Sequence, residues 1–547
     1  MKKNITMKKS NFINGAFVTT LGIIITKLLG VIYVIPFHLV VGDVGGELYG
    51  YAYTVYIFFL SISTAGIPLS ISKIVAEYQA LGFTKAKNKV LKLSSKLAII
   101  FGIISAFILF ILSPIISELV LGNINTINTK EDVTLVIRVV SLSLLVVPFL
   151  SVYRGYFEGH RIFNAPSISQ VIEQIVRIIV IVMGCFIVTK ILNLDLSISI
   201  ATAISATFIG ALVAILYLLY KANKNKKVFK SSIKNVNEPI VKDKDIYKKI
   251  IMYAIPFILI DFFKSFYNYI DMFTVVKNLV NIAHFTPKDA EIVMSMISTW
   301  ANKFNMAMLS ISTGIVVSLI PTLATSLEKK DYKDVSLKIN QGLSLLLFLM
   351  IPISILISFL SNAIWMLFYG SSTYGPSVLS FFIFVGLASA LLISFVTILQ
   401  SFKDIKWVLI SLISGILVKL LFNSNLIYTF YSLNIPSYYG IMTSTILGYL
   451  TTFIISVIIL KRKYKINFEE STKQFLNIII SSIIMLIVLL IINIFIPNYS
   501  TNRLLNIIYI IIFGIISLIV YLISTYKLSV IKSIFGNKIN KFKFIKK

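Results

Sequence analysis

Seven cationic side chains lie inside long apolar stretches of this chain: Lys27, Lys73, Arg138, Arg177, Lys264, Lys303 and Lys419. A Lys or Arg at the centre of a bilayer costs about 2.5–3.5 kcal/mol on insertion scales. Several in one chain point to use, and the chemistry they offer is anion binding. Lys holds an anion as a point charge and Arg as a planar fork, and both suit phosphate. The acids well inside apolar stretches are Glu173, Asp261 and Asp271. Seven cations against three acids leave about four positive charges unmatched. A cavity of that sign favours an anion and repels organic cations. A pyrophosphate-linked lipid fits it.

Local spacing sorts the seven. Lys73 lies near the end of its stretch with Glu77 four residues on, so it either snorkels or pairs along the helix. Arg138, near the other end of its stretch, is placed to snorkel. Arg177 sits one turn after Glu173, and Lys264 one turn after Asp261; each is either an internal ion pair or a ligand contact. Lys27, Lys303 and Lys419 have no acid within four residues and need a partner elsewhere, either a ligand or another helix. The substrate-binding candidates are therefore Lys27, Lys303, Arg177, Lys264 and Lys419. Asp271, Asp261 and Glu173 are candidate counter-ions or coupling-ion ligands. Asp271 could oppose Lys264 or Lys27, or join a Na⁺ or H⁺ site, since hard cations prefer oxygen ligands.

The elements that carry these residues are membrane helices. The chain has 547 residues, 57% of them hydrophobic, and a mean hydropathy of +0.91. Apolar runs of this length read as transmembrane helices. Fourteen are expected, at 12–36, 49–74, 97–119, 133–153, 166–189, 196–220, 250–274, 292–320, 341–362, 376–399, 407–429, 437–460, 474–496 and 504–526. The first is too long, and lacks a small-residue cleavage site, for a removable signal peptide. The fold class is an all-α polytopic membrane protein. Several spans carry breakers: Gly66 and Pro68 interrupt the second, and Gly314 sits in the eighth before Pro321, where the helix is either broken or bendable.

Enzymatic classes fare poorly. The single Cys185 rules out an internal disulfide or a Cys-cluster metal site, and His38, His160 and His284 are scattered. Neither HExxH nor GxxxxGK[ST] occurs. No loop is long enough for a soluble catalytic domain; the longest, about 221–249, is a Lys-rich tether. Neither catalysis, a metal nor a cofactor is expected.

The formal charge of +29 could suggest nucleic acid, but its placement argues against that. Lys and Arg concentrate in alternate loops, the positive-inside pattern. One set (the N-terminus, 77–96, 154–165, 221–249, 321–340, 400–406, 461–473 and the tail after 526) holds 39 of the 51 cations. The opposite set holds Lys130, Lys190, Lys277, Lys288 and Arg503. Both termini are therefore expected in the cytoplasm, and the basic loops on anionic lipid.

Two halves of the chain match. Leu60-Ser61-Ile62-Ser63-Thr64 recurs as Leu309-Ser310-Ile311-Ser312-Thr313. Leu112-Ser113 followed by Gly122 recurs as Leu360-Ser361 followed by Gly370. Ile175-Val176-Arg177-Ile178-Ile179 resembles Leu417-Val418-Lys419-Leu420-Leu421. Spans 1–6 map onto spans 7–12 with the same orientation, a parallel repeat. The expected organisation is a six-helix lobe at 1–220, a basic cytoplasmic linker at 221–249, a second six-helix lobe at 250–460, two extra helices within 461–526, and a basic tail at 527–547.

Several segments carry a resemblance. They are Gly15-Ala16-Phe17 through Leu21-Gly22, Thr26-Lys27-Leu28-Leu29-Gly30-Val31 and Pro36-Phe37; Arg154-Gly155-Tyr156-Phe157-Glu158-Gly159-His160; Gln170-Val171-Ile172-Glu173-Gln174-Ile175-Val176-Arg177-Ile178; Tyr267-Asn268-Tyr269-Ile270-Asp271; and Leu319-Ile320-Pro321-Thr322. Together the chain resembles the multidrug/oligosaccharidyl-lipid/polysaccharide exporter superfamily. The similar branch is the polysaccharide-biosynthesis one, with the stage V sporulation protein B type and the MurJ-type lipid II flippases.

The resemblance implies two six-helix lobes around a cationic cavity, with helices 13 and 14 forming a groove for a polyprenyl tail. It implies essential cations at Lys27 and Lys303, both Lys here where the family has Arg, so charge is kept and the fork is lost. A second helix-1 arginine of the family falls at Tyr33, and Lys264 and Arg177 are the candidates to replace it. The implied activity is flipping of a lipid-linked oligosaccharide, lipid II of peptidoglycan first, across a bacterial cytoplasmic membrane by alternating access. The driving force would be membrane potential or a Na⁺ or H⁺ gradient. The implied partners are that lipid, membrane lipids and, transiently, cell-wall synthesis enzymes. The rival activities are flipping of a capsule, teichoic or spore-cortex precursor, and cation-coupled multidrug export. Multidrug export would need unpaired acids in the cavity. A membrane-embedded glycosyltransferase would need larger outer loops.

Overall fold

The structure is a computed structural model. It describes residues 34–535 except 65, 123, 125, 226–228 and 230–239, together with 22, 25, 26, 29, 30, 32 and 33. Among the described residues the regular structure is helical, with no strand. That is what a bilayer demands of a lipid-exposed chain, because each backbone polar group must be satisfied within its own segment. Thirteen helical runs are long and apolar enough to span a membrane. They correspond to the second to fourteenth expected spans; most of the first, 12–36, lies outside the described residues. This is a multi-pass membrane protein. The chain divides into two compact units, Met1–Trp300 and Ala301–Lys547.

The N-terminal unit contains α1 (Val34–Thr64), α2 (Ile67–Ala80), α3 (Thr84–Leu121), α4 (Lys130–Ser141), α5 (Ser143–Gly159), α6 (Asn164–Phe186), α7 (Leu196–Lys224), α8 (Asp243–Asn281) and α9 (Pro287–Ser295), the last running into a π-helical segment, Met296–Trp300. The expected break at Gly66 and Pro68 is present: Gly66 has φ +71°, and α2 begins just after it with the proline in its first turn. A second break lies inside α1, where Gly42 adopts φ +64° and ψ −167°. No break occurs at Gly314, where α10 (Ala301–Glu328) continues as helix. A lone Gly lowers helix propensity without removing a hydrogen bond.

One core of this unit joins Ile71, Ile74 and Val75 of α2 to Leu150 and Phe157 of α5, Ala211 and Leu218 of α7, and Ile246 and Ile250 of α8. The basic 221–249 segment is more than a tether. Its Phe229 packs on Tyr156, Phe157 and His160 with ring centroids 5.3, 5.2 and 4.9 Å away. The buried Lys87 donates to the Phe229 carbonyl at 2.8 Å.

The C-terminal unit contains α10, α11 (Tyr332–Phe359), α12 (Ser361–Tyr369), α13 (Gly375–Ser401), α14 (Ile405–Ser432), α15 (Tyr438–Tyr464), α16 (Glu469–Phe495), α17 (Arg503–Lys527) and α18 (Val530–Phe535). α14 packs along α15, α13 against α10 and α15, and α16 against α11 and α17. A polar clasp fixes the turn between α15 and α16 to α11: Asn340 donates to the Asn467 carbonyl at 2.6 Å and accepts from the Ser471 amide at 3.0 Å.

Close helix contact in a membrane relies on small residues. Gly155 shows how close. A Cβ there would lie 2.4 Å from the Pro68 carbonyl oxygen and 2.7 Å from its Cα. Backbone cannot move aside as a flexible side chain does. Gly155→Ala should therefore destabilise the protein by about 1–3 kcal/mol, the usual cost of overpacking. The check is the melting temperature in detergent, which should fall below that of the parent.

Candidate functional site

Three charges converge on the inner faces of α5 and α6. Arg154 donates from Nη2 to Glu173 Oε2 at 2.7 Å and from Nε to Ser169 Oγ at 3.1 Å. Arg177 reaches the other Glu173 oxygen at 3.5 Å, one turn along the same helix. One carboxylate therefore serves two guanidinium groups and leaves a net positive charge. Arg177 is 16% exposed, and its Nε is buried without a hydrogen-bond partner. The phenols of Tyr49, Tyr53 and Tyr56 on α1 lie within electrostatic reach of it.

Tyr33 belongs to the same group. It is buried, and the Arg177 charge reaches its phenol. Gly22 and Gly30, before α1, lie beside α6, since their Cβ directions point at Ser167 and Gln174. Tyr33 is the position where the resembled flippases carry a second cation. α6 supplies one beside it, in Arg177. Lys264 is engaged elsewhere, with Asp261 at 3.1 Å, so Asp271 is not its ion-pair partner. Asp271 itself is partly buried in α8.

The remaining candidates are dispersed. Lys27 lies outside the described residues. Lys303 is partly buried in the first turn of α10, three residues after Trp300. Lys419 is fully buried and donates to Thr445 Oγ1 on α15 at 2.8 Å, so its partner is another helix of its own unit. Lys73 caps the Tyr253 ring at 4.1 Å. Glu77 takes Lys249 instead, at 2.7 Å. Arg138 donates to Ser113 at 3.2 Å and stacks over Phe110. No cluster of three or more metal-ligating side chains occurs among the described residues.

Two buried carboxylates were absent from the expected set. Glu47 and Glu291 have no exposed surface. They lie two residues and one residue before the expected starts of spans 2 and 8, so a hydropathy window leaves them in loops. α1 and the run from α9 begin earlier and carry both acids inside. They join the buried Lys87 and the enclosed Arg154 as charges the sequence count left in loops. Burying an unpaired carboxylate costs several kcal/mol, whereas a nearby helix N-terminus returns only about 0.3–1 kcal/mol.

The C-terminal unit offers an apolar cleft of about 270 Å³. Phe348, Pro352 and Leu356 of α11, Met485 of α16, and Gly514, Leu518 and Tyr521 of α17 line it. The Tyr521 hydroxyl is spent on the Phe348 carbonyl at 2.8 Å, which leaves the wall apolar.

Residues 12–327 match the family model described as polysaccharide biosynthesis protein. The chain belongs to this family. A second model, MatE, matches residues 294–424. The lipid II flippase MurJ of Bacillus subtilis (strain 168) is 33% identical over 481 residues, 87% of each chain. Stage V sporulation protein B of the same organism is 25% identical over 372 residues, 67% of this chain and 68% of that one. Among solved structures, lipid II flippase MurJ in an inward closed conformation superposes with a TM-score of 0.63 at 14% identity, covering 94% of this chain and 99% of that one. An inward-facing multidrug resistance MATE family transporter superposes with a TM-score of 0.59 at 14% identity, over 84% and 97%. At such identities the superpositions show a shared fold.

The first family match covers Lys27, Arg154, Glu173 and Arg177, and the second covers Lys303 and Lys419. Glu173 carries the electrostatics of its cluster. Glu173→Ala would leave two guanidinium groups largely enclosed without a counter-charge. The arginines are about one-sixth exposed, so the expected loss lies between surface and buried pairs, about 1–3 kcal/mol. Thermal denaturation should register a lower melting temperature for Glu173→Ala, with a smaller drop for Glu173→Gln, which still accepts a hydrogen bond.

Proposed function

We propose that this protein flips a polyprenyl-pyrophosphate-linked oligosaccharide, lipid II foremost, from the inner to the outer leaflet of a bacterial cytoplasmic membrane by alternating access. The observation that carries this reading is the 33% identity to lipid II flippase MurJ over 87% of both chains. Cations enclosed in the membrane support it. Lys27 and Lys303 are the proposed contacts to the pyrophosphate, with Arg177 supplying the charge that Tyr33 lacks. The cleft of α11, α16 and α17 is proposed to hold the polyprenyl tail. No covalent step is involved, so no catalytic residue or cofactor is required. Both termini are assigned to the cytoplasm from the distribution of lysines. A positively charged site returning inward would be driven by the membrane potential, worth about 2.3 kcal/mol per charge per 100 mV.

The likeness to stage V sporulation protein B favours a second reading, in which another lipid-linked glycan is carried. Complementation separates the two. Expression should restore growth and peptidoglycan synthesis in a strain depleted of its lipid II flippase; failure to do so would move the assignment to the other glycan. Lys27→Ala and Lys303→Ala should each cut lipid II exposure on the outer leaflet by about ten- to a hundredfold, the loss of one charge-assisted contact of about 1.5–3 kcal/mol. Normal exposure in both variants would sink the phosphate role.

The tail cleft has its own test. Gly514 faces open space, with no atom within 4 Å of its Cβ position. Gly514→Phe should fill the cleft at little cost in melting temperature. It should slow flipping of a long-chain substrate while sparing a short-chain analogue. Equal rates for the two analogues would argue against a tail site here.

A further inference from the structure

Glu47 and Glu291 have no part in the phosphate contacts proposed above. Glu47 stands about one turn into the helix that restarts after the Gly42 break. Its Oε1 accepts from the Tyr51 hydroxyl, one turn further on. Its Oε2 is buried without a hydrogen-bond partner. The charged group facing it is a second carboxylate, Glu291 of α9.

Donors are shared unequally between the two acids. Glu291 accepts from the Ile127 amide at 2.9 Å, the Asn128 amide at 3.3 Å and Asn128 Nδ2 at 3.4 Å. That arrangement suits a carboxylate anion. Glu47 has one phenol, one empty oxygen and a like charge in front of it. Neither acid has an ion pair among the described residues. Two like charges enclosed together cannot both be ionised at small cost. The structure therefore assigns Glu47 as a proton-binding site: it holds a proton while α9 and the π-helical segment cover it, and releases that proton to solvent when the cover lifts. The step moves one proton from Oε2 to water and leaves a carboxylate.

The cover is tight. Gly46 and Gly50 flank Glu47 and lie flat on the π-helical segment. A Cβ at Gly46 would come within 2.4 Å of the Trp300 indole, and one at Gly50 within 2.5 Å of Ser298 Oγ. Thr299 donates to the Gly46 carbonyl at 2.8 Å. Water reaches Glu47 only if this contact parts.

Several ionisable groups on the helices packed against α1 have partners of their own, among them Glu118 of α3 with Lys130 and Asp289 of α9 with Thr286. His38 pairs with Asp43 at 3.0 Å. Arg138 of α4 donates to Ser113. Arg154 of α5 and Arg177 of α6 share Glu173. On α8, Lys277 donates to the Leu119 carbonyl at 2.7 Å and Lys264 pairs with Asp261, while Asp271 is not among the groups whose charge reaches Glu47. Glu47 is neutral when covered and ionised when open, so a higher pH on the side it opens to favours opening. The lysine distribution makes that side the outside. The inference rests on the transporter reading but not on which glycan is carried.

The test uses the full chain in proteoliposomes, with Cys185→Ala and Ser298→Cys, labelled from outside by a membrane-impermeant maleimide. Rates are normalised to an exposed control, Thr501→Cys, to remove the pH dependence of the thiol itself. Normalised labelling should rise by up to about tenfold per unit of outside pH, the slope for release of one proton. Glu47→Gln, an isosteric stand-in for the neutral acid, should label slowly with no pH dependence. Infrared spectroscopy supplies a readout free of folding artefacts in one variant. A carboxylic-acid C=O band present at neutral pH should vanish in Glu47→Gln, shift in Glu47→Asp and persist in Glu291→Gln. A flat labelling profile in the Glu47 protein, an unchanged slope in Glu47→Gln, or a band that survives unshifted in both Glu47 variants would overturn the assignment. Neither readout involves the transported lipid, so a failure here and a failure of the flippase reading are distinguishable.

Discussion

A charge carried into hydrocarbon must meet a counter-charge, a dipole, a ligand or a proton, and this requirement organises the protein. Each buried ionisable group takes one of these routes. Glu173 neutralises part of Arg154 and Arg177. Lys419 settles on a threonine of the next helix and Lys87 on the carbonyl of Phe229. Glu291 takes the backbone amides of Ile127 and Asn128. Where the routes run short, as at the Arg177 Nε and the Glu47 Oε2, the remaining partners are solvent, substrate or a proton. A transporter must expose such groups in turn to each side of the membrane, so incomplete satisfaction is a working condition and not a packing fault.

Much of the fold was legible because bilayer thickness fixes helix length, and a run of apolar residues needs no tertiary context to be read. Thirteen of the expected spans correspond to described helices. The charges were harder, since their roles depend on neighbours distant in sequence. Glu77 pairs with Lys249 from α8 and not with Lys73 from its own helix, because α8 packs beside α2 and Lys73 turns to the Tyr253 ring. Glu47 and Glu291 were missed by one or two residues, because a hydropathy window ends where charge begins while the helix does not. Helix propensity misjudged Gly314 in the opposite sense: in an apolar medium the backbone hydrogen bonds outweigh the entropy a glycine loses. Phe229 was invisible in a basic stretch, where one aromatic among lysines reads as part of the tether.

The glycines bear on both stability and movement. In hydrocarbon, helices gain little by hiding apolar surface from lipid, so association relies on close backbone approach and on polar contacts. Gly155 against Pro68 joins α2 to α5. Gly46 and Gly50 join α1 to the π-helical segment in the same way, but the latter contact also covers an acid. The contact includes the Thr299 hydrogen bond to the Gly46 carbonyl and the Phe37 and His38 rings on Trp300, and dispersion between such close surfaces has short range.

The same physics divides labour across the proposed substrate. A polyprenyl chain lies in hydrocarbon before it binds, so moving it into the cleft of α11, α16 and α17 removes almost no apolar surface from water. The cleft can contribute shape and dispersion but not a large hydrophobic free energy. The pyrophosphate and sugars are different, because they must leave the aqueous interface and cross a low-dielectric path. Cations and hydrogen-bond donors must offset that desolvation, and the proposed phosphate contacts, Lys27 and Lys303, are lysines. A lysine gives the charge without the bidentate geometry, so it tolerates a phosphate arriving in more than one orientation. Discrimination among glycans must then come from groups that touch the sugar, while the cations select for the pyrophosphate that every polyprenyl-linked precursor shares. Such a division lets closely related chains carry different glycans while keeping the same charged core.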